Sequence, residues 1–325
     1  MTRARLVALG LGVGGLLATV DFAGSGAVLH AFDHVGLPGL IVIAVIHVPA
    51  VASMGFAWAL LGGAGEGGRW WKFLWARYVR DATAEVLPFS QLGGLFAGVR
   101  VLGLSGLGTV AVMSSALGDL LIEQLAKIPY VLGGVTLLLA IRHGALPPMW
   151  IAYAALPMSL LTIFAVVYRR GVLSTLARGT RALTGVWPQL RFPSLDGLRP
   201  ALDRIMAFDR RTLGAFALHL LAWVLGAAET WVAFHFIGVP LDPARALILD
   251  SLYCGVRTFG FAVPAALGVQ EAAYALLGTL LGIPPAASVA FSLLRRVREV
   301  LIGAPGLGAW QVLEGRRALA RASRS

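Results

Sequence analysis

The sequence predicts an all-α, polytopic integral membrane protein with about six to eight membrane helices and one or two re-entrant hairpins broken by proline and glycine. Three observations carry this. Hydrophobic residues make up 58% of the 325-residue chain and charged residues only 13%, about half the charged fraction of a soluble domain. Mean hydropathy is +0.80, and apolar runs recur at about 20 residues, the length that spans about 30 Å of hydrocarbon. Two apolar stretches, 85–94 and 257–271, are interrupted by Pro88 and Pro264 and by glycines, and both carry charge. In a bilayer, broken backbone is tolerated only where protein or water satisfies the freed N–H and C=O groups. A matched pair of interrupted segments, one in each half, is a sequence pointer to a transporter's binding site.

The elements follow in order. Met1-Thr2-Arg3-Ala4-Arg5 precedes an apolar run to about Leu29, longer than the core of a cleaved signal peptide, so residues 6–29 read as a retained first span. His30, Asp33 and His34 follow in a short loop without Lys or Arg. Their spacing permits metal binding on a helix, but no further ligand is evident, so they read as interfacial histidines. Span 2 covers 37–61. The basic, aromatic stretch 69–80 holds Arg69, Trp70, Trp71, Lys72, Trp75, Arg77 and Arg80 and suits the lipid headgroup region. Segment 81–105 is too short and too broken for two crossings and is expected to be re-entrant. Span 3 is a long helix over 109–141, and span 4 covers 149–167. Residues 169–211 carry many arginines and form a connector. Span 5 covers 213–236 and ends at a loop over 238–243. Residues 244–312 hold three apolar stretches, consistent with one crossing plus a re-entrant element or with three crossings. Positive-inside asymmetry places the N-terminus, 63–105, 169–211 and the C-terminal tail in the cytoplasm. The chain thus divides into an N-terminal membrane half (1–168), the connector (169–211) and a C-terminal membrane half (212–325). Segments 88–94 and 264–268 share a Pro…Leu-Gly pattern, which suggests two repeats of inverted topology.

Charge and cysteine use narrow the function classes. The formal net charge is +11, from 27 basic and 16 acidic residues. With the basic residues collected in loops, this points to anionic lipid rather than nucleic acid, and no nucleic-acid motif is present. The one cysteine, Cys254, permits no internal disulfide and reads as packing. No Walker A loop, nucleophile elbow, HExxH or cysteine-pair site appears, so neither catalytic residues, a cofactor nor a metal site is expected. The glycines at 10, 12, 14 and 15 lie in an apolar span and read as close helix packing.

Several charges stand where hydrocarbon should not hold them. Asp119, Glu123 and Lys127 are four apart and share a helix face. The Glu–Lys pair can neutralise itself, or the stripe is simply solvated at the end of a helix longer than the membrane. Asp250, Cys254 and Arg257 share another face. Arg295, Arg296 and Arg298 interrupt an apolar stretch and need acidic partners, lipid phosphates or water. Glu271 and Glu299 are the candidate partners. The alternatives are an internal ion-pair lattice and an anionic headgroup site. Asp21 and Glu229 lie deep in spans 1 and 5. A lone intramembrane carboxylate is a candidate proton or polar relay or a neutral packing group. Asp119, Glu123 and Lys127 join them as relay candidates.

At the two interrupted stretches the chain resembles a known family. Glu85-Val86-Leu87-Pro88-Phe89-Ser90-Gln91-Leu92-Gly93-Gly94 with Arg100, and Val263-Pro264-Ala265-Ala266-Leu267-Gly268-Val269-Gln270-Glu271, look like the lysylphosphatidylglycerol synthase transmembrane (flippase-like) family. The closest likeness is to its hopanoid-biosynthesis-associated subgroup, and it covers nearly the whole chain. The resemblance implies a multi-pass protein of the bacterial inner membrane that moves or handles lipids. In the synthases proper this domain precedes a soluble aminoacyl-transferase. This chain ends at Ser325 in a short basic tail, so lipid aminoacylation is not expected. The expected function is lipid translocation, with hopanoids, related polar lipids or anionic phospholipids as cargo. The expected headgroup path comprises Glu85, Pro88, Gln91, Arg100, Asp250, Arg257, Pro264, Glu271, Arg295, Arg298 and Glu299. Two other readings stand beside it. One is an embedded headgroup transferase with Glu229 or Glu271 as general base. The other is a non-catalytic subunit that docks a lipid-biosynthesis enzyme or export partner through 169–211.

Overall fold

The protein's structure, a computed structural model, describes residue 21 and segments 25–63, 69–86, 90–141, 198–257 and 268–322. Among the described residues there is no strand, and the helices are α1 (Ser25–Leu61), α2 (Trp70–Val86), α3 (Ser90–Gly103), α4 (Thr109–Ile141), α5 (Leu198–Ile205), α6 (Arg210–Phe236), α7 (Pro243–Arg257), α8 (Val269–Leu280) and α9 (Pro285–Ala322). Three of them contain segments long and apolar enough to cross a membrane: Asp33–Leu61 in α1, Thr109–Ile141 and Arg210–Phe236. Most of the expected first span, span 4 and the connector lie outside the described residues.

Helix α1 corrects one expectation. His30, Asp33 and His34 are helical rather than in a loop, and the two histidine rings lie 4.9 Å apart. The break comes at Gly36, whose φ of 56° leaves the helical region. Glycine enters that region without a Cβ penalty. Pro38 then falls in the first turn of the continuing helix, where its missing N–H removes no hydrogen bond.

Helices α2 and α3 form a tight hairpin around residues 87–89. A Cβ on Gly94 would lie 2.5 Å from the Arg80 carbonyl oxygen, and one on Gly98 would lie 3.3 Å from that of Ala76. Only glycine lets the backbones approach so closely. The matched contacts also show that the two helices run antiparallel. The broken segment is therefore longer than the expected 81–105, since its first arm begins at Trp70. In the C-terminal half, α7 packs against α8. There Tyr253 stacks on Tyr274 at 4.2 Å, and the Tyr253 hydroxyl donates to Gln270 Oε1 at 2.7 Å.

The same order and the same partners recur in both halves. Helices α1, α2, α3 and α4 correspond to α6, α7, α8 and α9. Helix α4 packs on α6 and α7, as α9 packs on α1 and α2. The loops agree as well: Gly63 (φ 70°) answers Gly238 (φ 82°), and Gly106 (φ 88°) answers Gly282 (φ 74°). Helices α1 and α6 meet antiparallel, with Gly39 against Phe236 at one end and Gly214 against Leu60 at the other. The two halves are therefore an inverted repeat, the symmetry of many transporters.

Two apolar cores flank the polar side chains. One gathers Trp58, Phe73, Val79 and Leu102 beside the first hairpin. The other gathers Ile43, Phe234, Leu252, Tyr274 and Phe291 beside the second.

Candidate functional site

The buried charges form two clusters, one in each half. In the first, α2 delivers Arg77 and Arg80 and α4 delivers Asp119 and Glu123. The face of α2 that carries Phe73, Ala76, Arg77, Arg80 and Ala84 is buried, as spacings of three and four on one helix require. Arg80 Nη1 lies 2.7 Å from Asp119 Oδ2, and its Nη2 lies 2.9 Å from Glu123 Oε2. Arg77 Nη1 reaches both carboxylates, at 3.3 and 2.9 Å, and its Nε donates to Asp81 at 2.8 Å. His219 on α6 closes the cluster, with Nε2 3.0 Å from Asp119 Oδ1. Both arginines and both α4 carboxylates are buried.

This corrects two expectations. Arg77 and Arg80 are not headgroup anchors; they are buried, although the neighbouring Trp70 and Trp71 are exposed. Asp119 and Glu123 are not a solvated stripe. Glu123 pairs with the two arginines, whereas Lys127 donates to Gln124 at 3.1 Å and sits 5.0 Å over the Trp223 ring.

The second cluster is longer and richer in neutral donors. Arg295 Nη1 bonds Asp250 Oδ1 at 2.8 Å and Tyr274 Oη at 2.6 Å. The rings of Tyr253, Tyr274 and Phe291 surround its guanidinium at 5.4 to 5.9 Å, within cation–π range. Asp250 also accepts from Tyr130 at 2.7 Å and from Thr230 at 3.2 Å. Arg296 grips Glu271 through Nε at 2.5 Å and Nη2 at 3.1 Å. Glu271 in turn accepts from the Gly268 N–H at 2.8 Å and from Ser292 at 3.4 Å, which ties the start of α8 to α9. Arg298 bonds Glu229 and lies 3.3 Å from Glu299. His47 on α1 joins it, with Nδ1 2.9 Å from Glu229 Oε2 and 3.1 Å from Arg298 Nη1.

Glu271 and Glu299 are thus partners of the arginines, as the sequence suggested, but Asp250 and Glu229 are partners too. Glu229 is not a lone carboxylate, since it meets a guanidinium and an imidazole. Arg257 is half-buried at the end of α7, beyond Cys254, which is buried. Arg100 is exposed in the last turn of α3, which packs on α2 and α4. It lies on the first cluster's elements, and Arg295 and Arg298 lie on α9. Asp21 is exposed. Pro88, Pro264 and the side chains of Glu85 and Gln91 lie outside the described residues.

Sequence reasoning missed Arg77, Arg80, His47, His219, Tyr130 and Tyr274. For the histidines a signal was present: each is an ionisable group inside an apolar span.

The repeat relates the two clusters with their charges exchanged. Arg77 stands seven positions into α2 and Asp250 seven into α7, while Asp119 and Arg295 each stand ten into α4 and α9. An Arg–Asp pair between hairpin and long helix in one half becomes an Asp–Arg pair in the other.

A comparison with curated proteins and one with solved structures each return no match. A protein-family model described as the lysylphosphatidylglycerol synthase TM region matches residues 5–306. That span includes both hairpins and both charged clusters, and with the membrane-crossing helices it makes this a membrane protein related to lipid metabolism. The chain belongs to the lysylphosphatidylglycerol synthase transmembrane family.

Proposed function

We propose that the protein moves polar lipids between the leaflets of the bacterial inner membrane, without chemical change to the lipid. One observation carries this reading. The arginine–carboxylate seam Asp250, Glu271, Arg295, Arg296, Arg298 and Glu229 runs between α6, α7, α8 and α9, beside an interrupted hairpin in an inverted repeat. Buried ion pairs are weak contributors to stability, because desolvation offsets much of their attraction and apolar residues of similar volume often do as well. Six charged groups in an apolar bundle are therefore better explained by a polar task than by stability.

That task is to replace water around a headgroup. A phosphate or polyol cannot enter hydrocarbon cheaply, since each unpaired polar group costs several kcal/mol, about 2 to 7. Arginines suit a phosphate oxygen through their planar, two-pronged donors, and the carboxylates suit hydroxyl donors. A headgroup enters by exchanging partners: as Arg296 turns from Glu271 to the lipid, Glu271 keeps the Gly268 and Ser292 donors. The tails stay in the bilayer. In this reading both hairpins are re-entrant, and the N-terminus, the connector and the tail face the cytoplasm. The resemblance at 85–94 makes hopanoids and related polar lipids the favoured cargo over ordinary anionic phospholipids.

The test is leaflet exchange in proteoliposomes that hold purified protein and labelled lipids, including a polar hopanoid. Wild type is expected to accelerate exchange of the hopanoid, and Glu271→Gln and Arg295→Gln variants that remain folded are expected to lose it. No acceleration with any lipid, together with a stoichiometric enzyme that co-purifies, would replace this reading with that of a docking subunit.

A further inference from the structure

We propose that His47 is a proton-binding site through which a proton gradient drives the lipid movement proposed above; the coupling rests on that reading, and the site itself does not.

The argument starts from one atom. His47 Nδ1 lies 3.1 Å from a guanidinium nitrogen of Arg298 and 2.9 Å from a carboxylate oxygen of Glu229. Arginine only donates, and an ionised carboxylate only accepts. Without a proton, Nδ1 can accept from Arg298 but faces Glu229 lone pair to lone pair. With a proton, it donates to Glu229 and turns an N–H toward Arg298. A single nitrogen cannot serve both neighbours at once: the neutral ring meets Arg298 with its proton on Nε2 or Glu229 with it on Nδ1, and the doubly protonated ring, which sets a full positive charge beside the carboxylate, holds Glu229. His219, by contrast, meets one carboxylate through Nε2.

Position makes this atom consequential. His47 lies midway along the apolar part of α1, in the first half of the repeat. Glu229 lies on α6 and Arg298 on α9, both in the second half. The three side chains therefore bridge the antiparallel α1–α6 pair on which the two halves meet. A quarter of the His47 side chain is exposed, against 3% for Glu229 and 2% for Arg298, so the imidazole is the accessible member of the triad.

Charge balance points the same way. The groups facing the triad are Arg295, with its partner Asp250, and Glu299 beside Arg298; Arg296 and Glu271 complete the seam. Negative charge in a low-dielectric interior is stabilised by positive charge placed beside it, and a proton on His47 supplies that charge next to Glu229. When a headgroup draws an arginine away from its carboxylate it leaves negative charge behind, which favours proton uptake at His47. Proton loss then weakens the hold on the headgroup. By linkage, each ligand strengthens the binding of the other.

Two measurements test this, and they fail separately. The first needs no transport. Protein labelled with ¹⁵N-histidine in nanodiscs is titrated by NMR, with the His47 signal assigned by its loss in His47→Gln. The His47 signal is expected to titrate within the pH range over which the protein stays folded, and Glu229→Gln is expected to lower its midpoint. A signal that stays in one form across that range overturns the site. The second imposes a pH gradient across proteoliposomes and takes the ratio of lipid exchange with and without it. Wild type is expected to show a ratio of about threefold or more, and His47→Gln a ratio of one. An unchanged ratio in His47→Gln overturns the coupling. Should that variant fail to fold, a wild-type ratio of one does the same. Wild type that exchanges no lipid under either condition sinks the translocation reading and with it the coupling, while the titration still decides the proton site.

Discussion

The two halves share one plan and use it differently. In the first, two arginines and two carboxylates close on each other, and every guanidinium finds both acids. In the second, three arginines are strung along α9, each with its own carboxylate, and tyrosine, threonine, serine and backbone donors share the load. The first cluster is cross-linked, so removal of one arginine leaves two buried carboxylates on a single guanidinium. In the second, neutral donors back the carboxylates, so an arginine can turn away without leaving a bare carboxylate. The difference separates a clamp from a working surface: cross-linked charge holds helices, and charge backed by neutral donors can let go.

The largest expected effect tests the clamp directly. Arg80→Ala leaves Asp119 and Glu123 with one guanidinium between them in a buried site. Breaking a buried pair in this way costs about 3–5 kcal/mol, so the variant should show a sharply lower thermal midpoint in detergent, or no folded yield. Arg296→Ala should lose much less, about 1–2 kcal/mol, because Glu271 retains two donors and Arg296 is already 16% exposed. Equal losses at both sites would erase the distinction.

The hairpins offer the next comparison. The first closes on Gly94 and Gly98, whereas the second closes through the Tyr253–Tyr274 stack. Gly94→Val drives methyl groups into the Arg80 carbonyl and the Ala84 methyl. Overpacking of this kind costs about 1–3 kcal/mol, and it should separate α2 from α3 while leaving the second hairpin intact. Cysteine pairs across each hairpin, in a Cys254→Ala background, would show it as cross-linking lost in the first alone.

A smaller effect concerns the exchanged pairs themselves. Double-mutant cycles with Arg77→Gln and Asp119→Asn, and with Asp250→Asn and Arg295→Gln, measure each pair's coupling. Contacting pairs couple by about 0.5–3 kcal/mol. The second pair is expected at the upper end and the first at the lower end, because Asp119 keeps Arg80 and Arg77 keeps Glu123. The reverse order would mean that the clamp is the less shared of the two.

Much of this plan was legible in the chain. Helix α4 was expected over 109–141 and runs over that range, and α6 starts within a turn of its expected place. Pro88 and Pro264 are 176 positions apart, the same separation as the starts of α4 and α9, which is why two short look-alike segments sufficed to suggest the repeat. What failed was the reading of direction around a helix. Arg77 and Arg80 were assigned to the headgroups because tryptophans adjoin them in sequence, but Trp70 and Trp71 lie on the exposed side and the arginines on the buried one. An Arg–Arg pair spaced by three on α2 and an Asp–Glu pair spaced by four on α4 match only once the helices are set side by side. His47 and His219 were passed over although each is an ionisable group inside an apolar span, because their carboxylate partners lie far away in the sequence.

The smallest effect lies where the two halves begin. Helix α6 is entered through a side-chain cap: the Asp209 carboxylate accepts from the Thr212 N–H at 2.8 Å. Its counterpart, the main part of α1, is entered through the Gly36 break and Pro38, where Gly36 offers no side chain to accept from the helix N–H groups. The Thr212 backbone N–H, followed by smaller contributions from the Thr212 hydroxyl and Arg211, holds the Asp209 carboxyl below its usual value. The cap's contribution is therefore fully present above the ordinary carboxyl value of about 3.9 and disappears as pH falls through the lowered one. Wild type should unfold at a higher temperature than Asp209→Ala at neutral pH, and the two should converge in acid, below about pH 3. The gap should be small, because Asp209 is exposed and screened by solvent. Asp209→Ser, which still caps but does not titrate, should keep its advantage over alanine at every pH. If the wild-type advantage persists unchanged in acid, the carboxylate is not the cap, and the entry to α6 is no more pH-sensitive than the entry to α1.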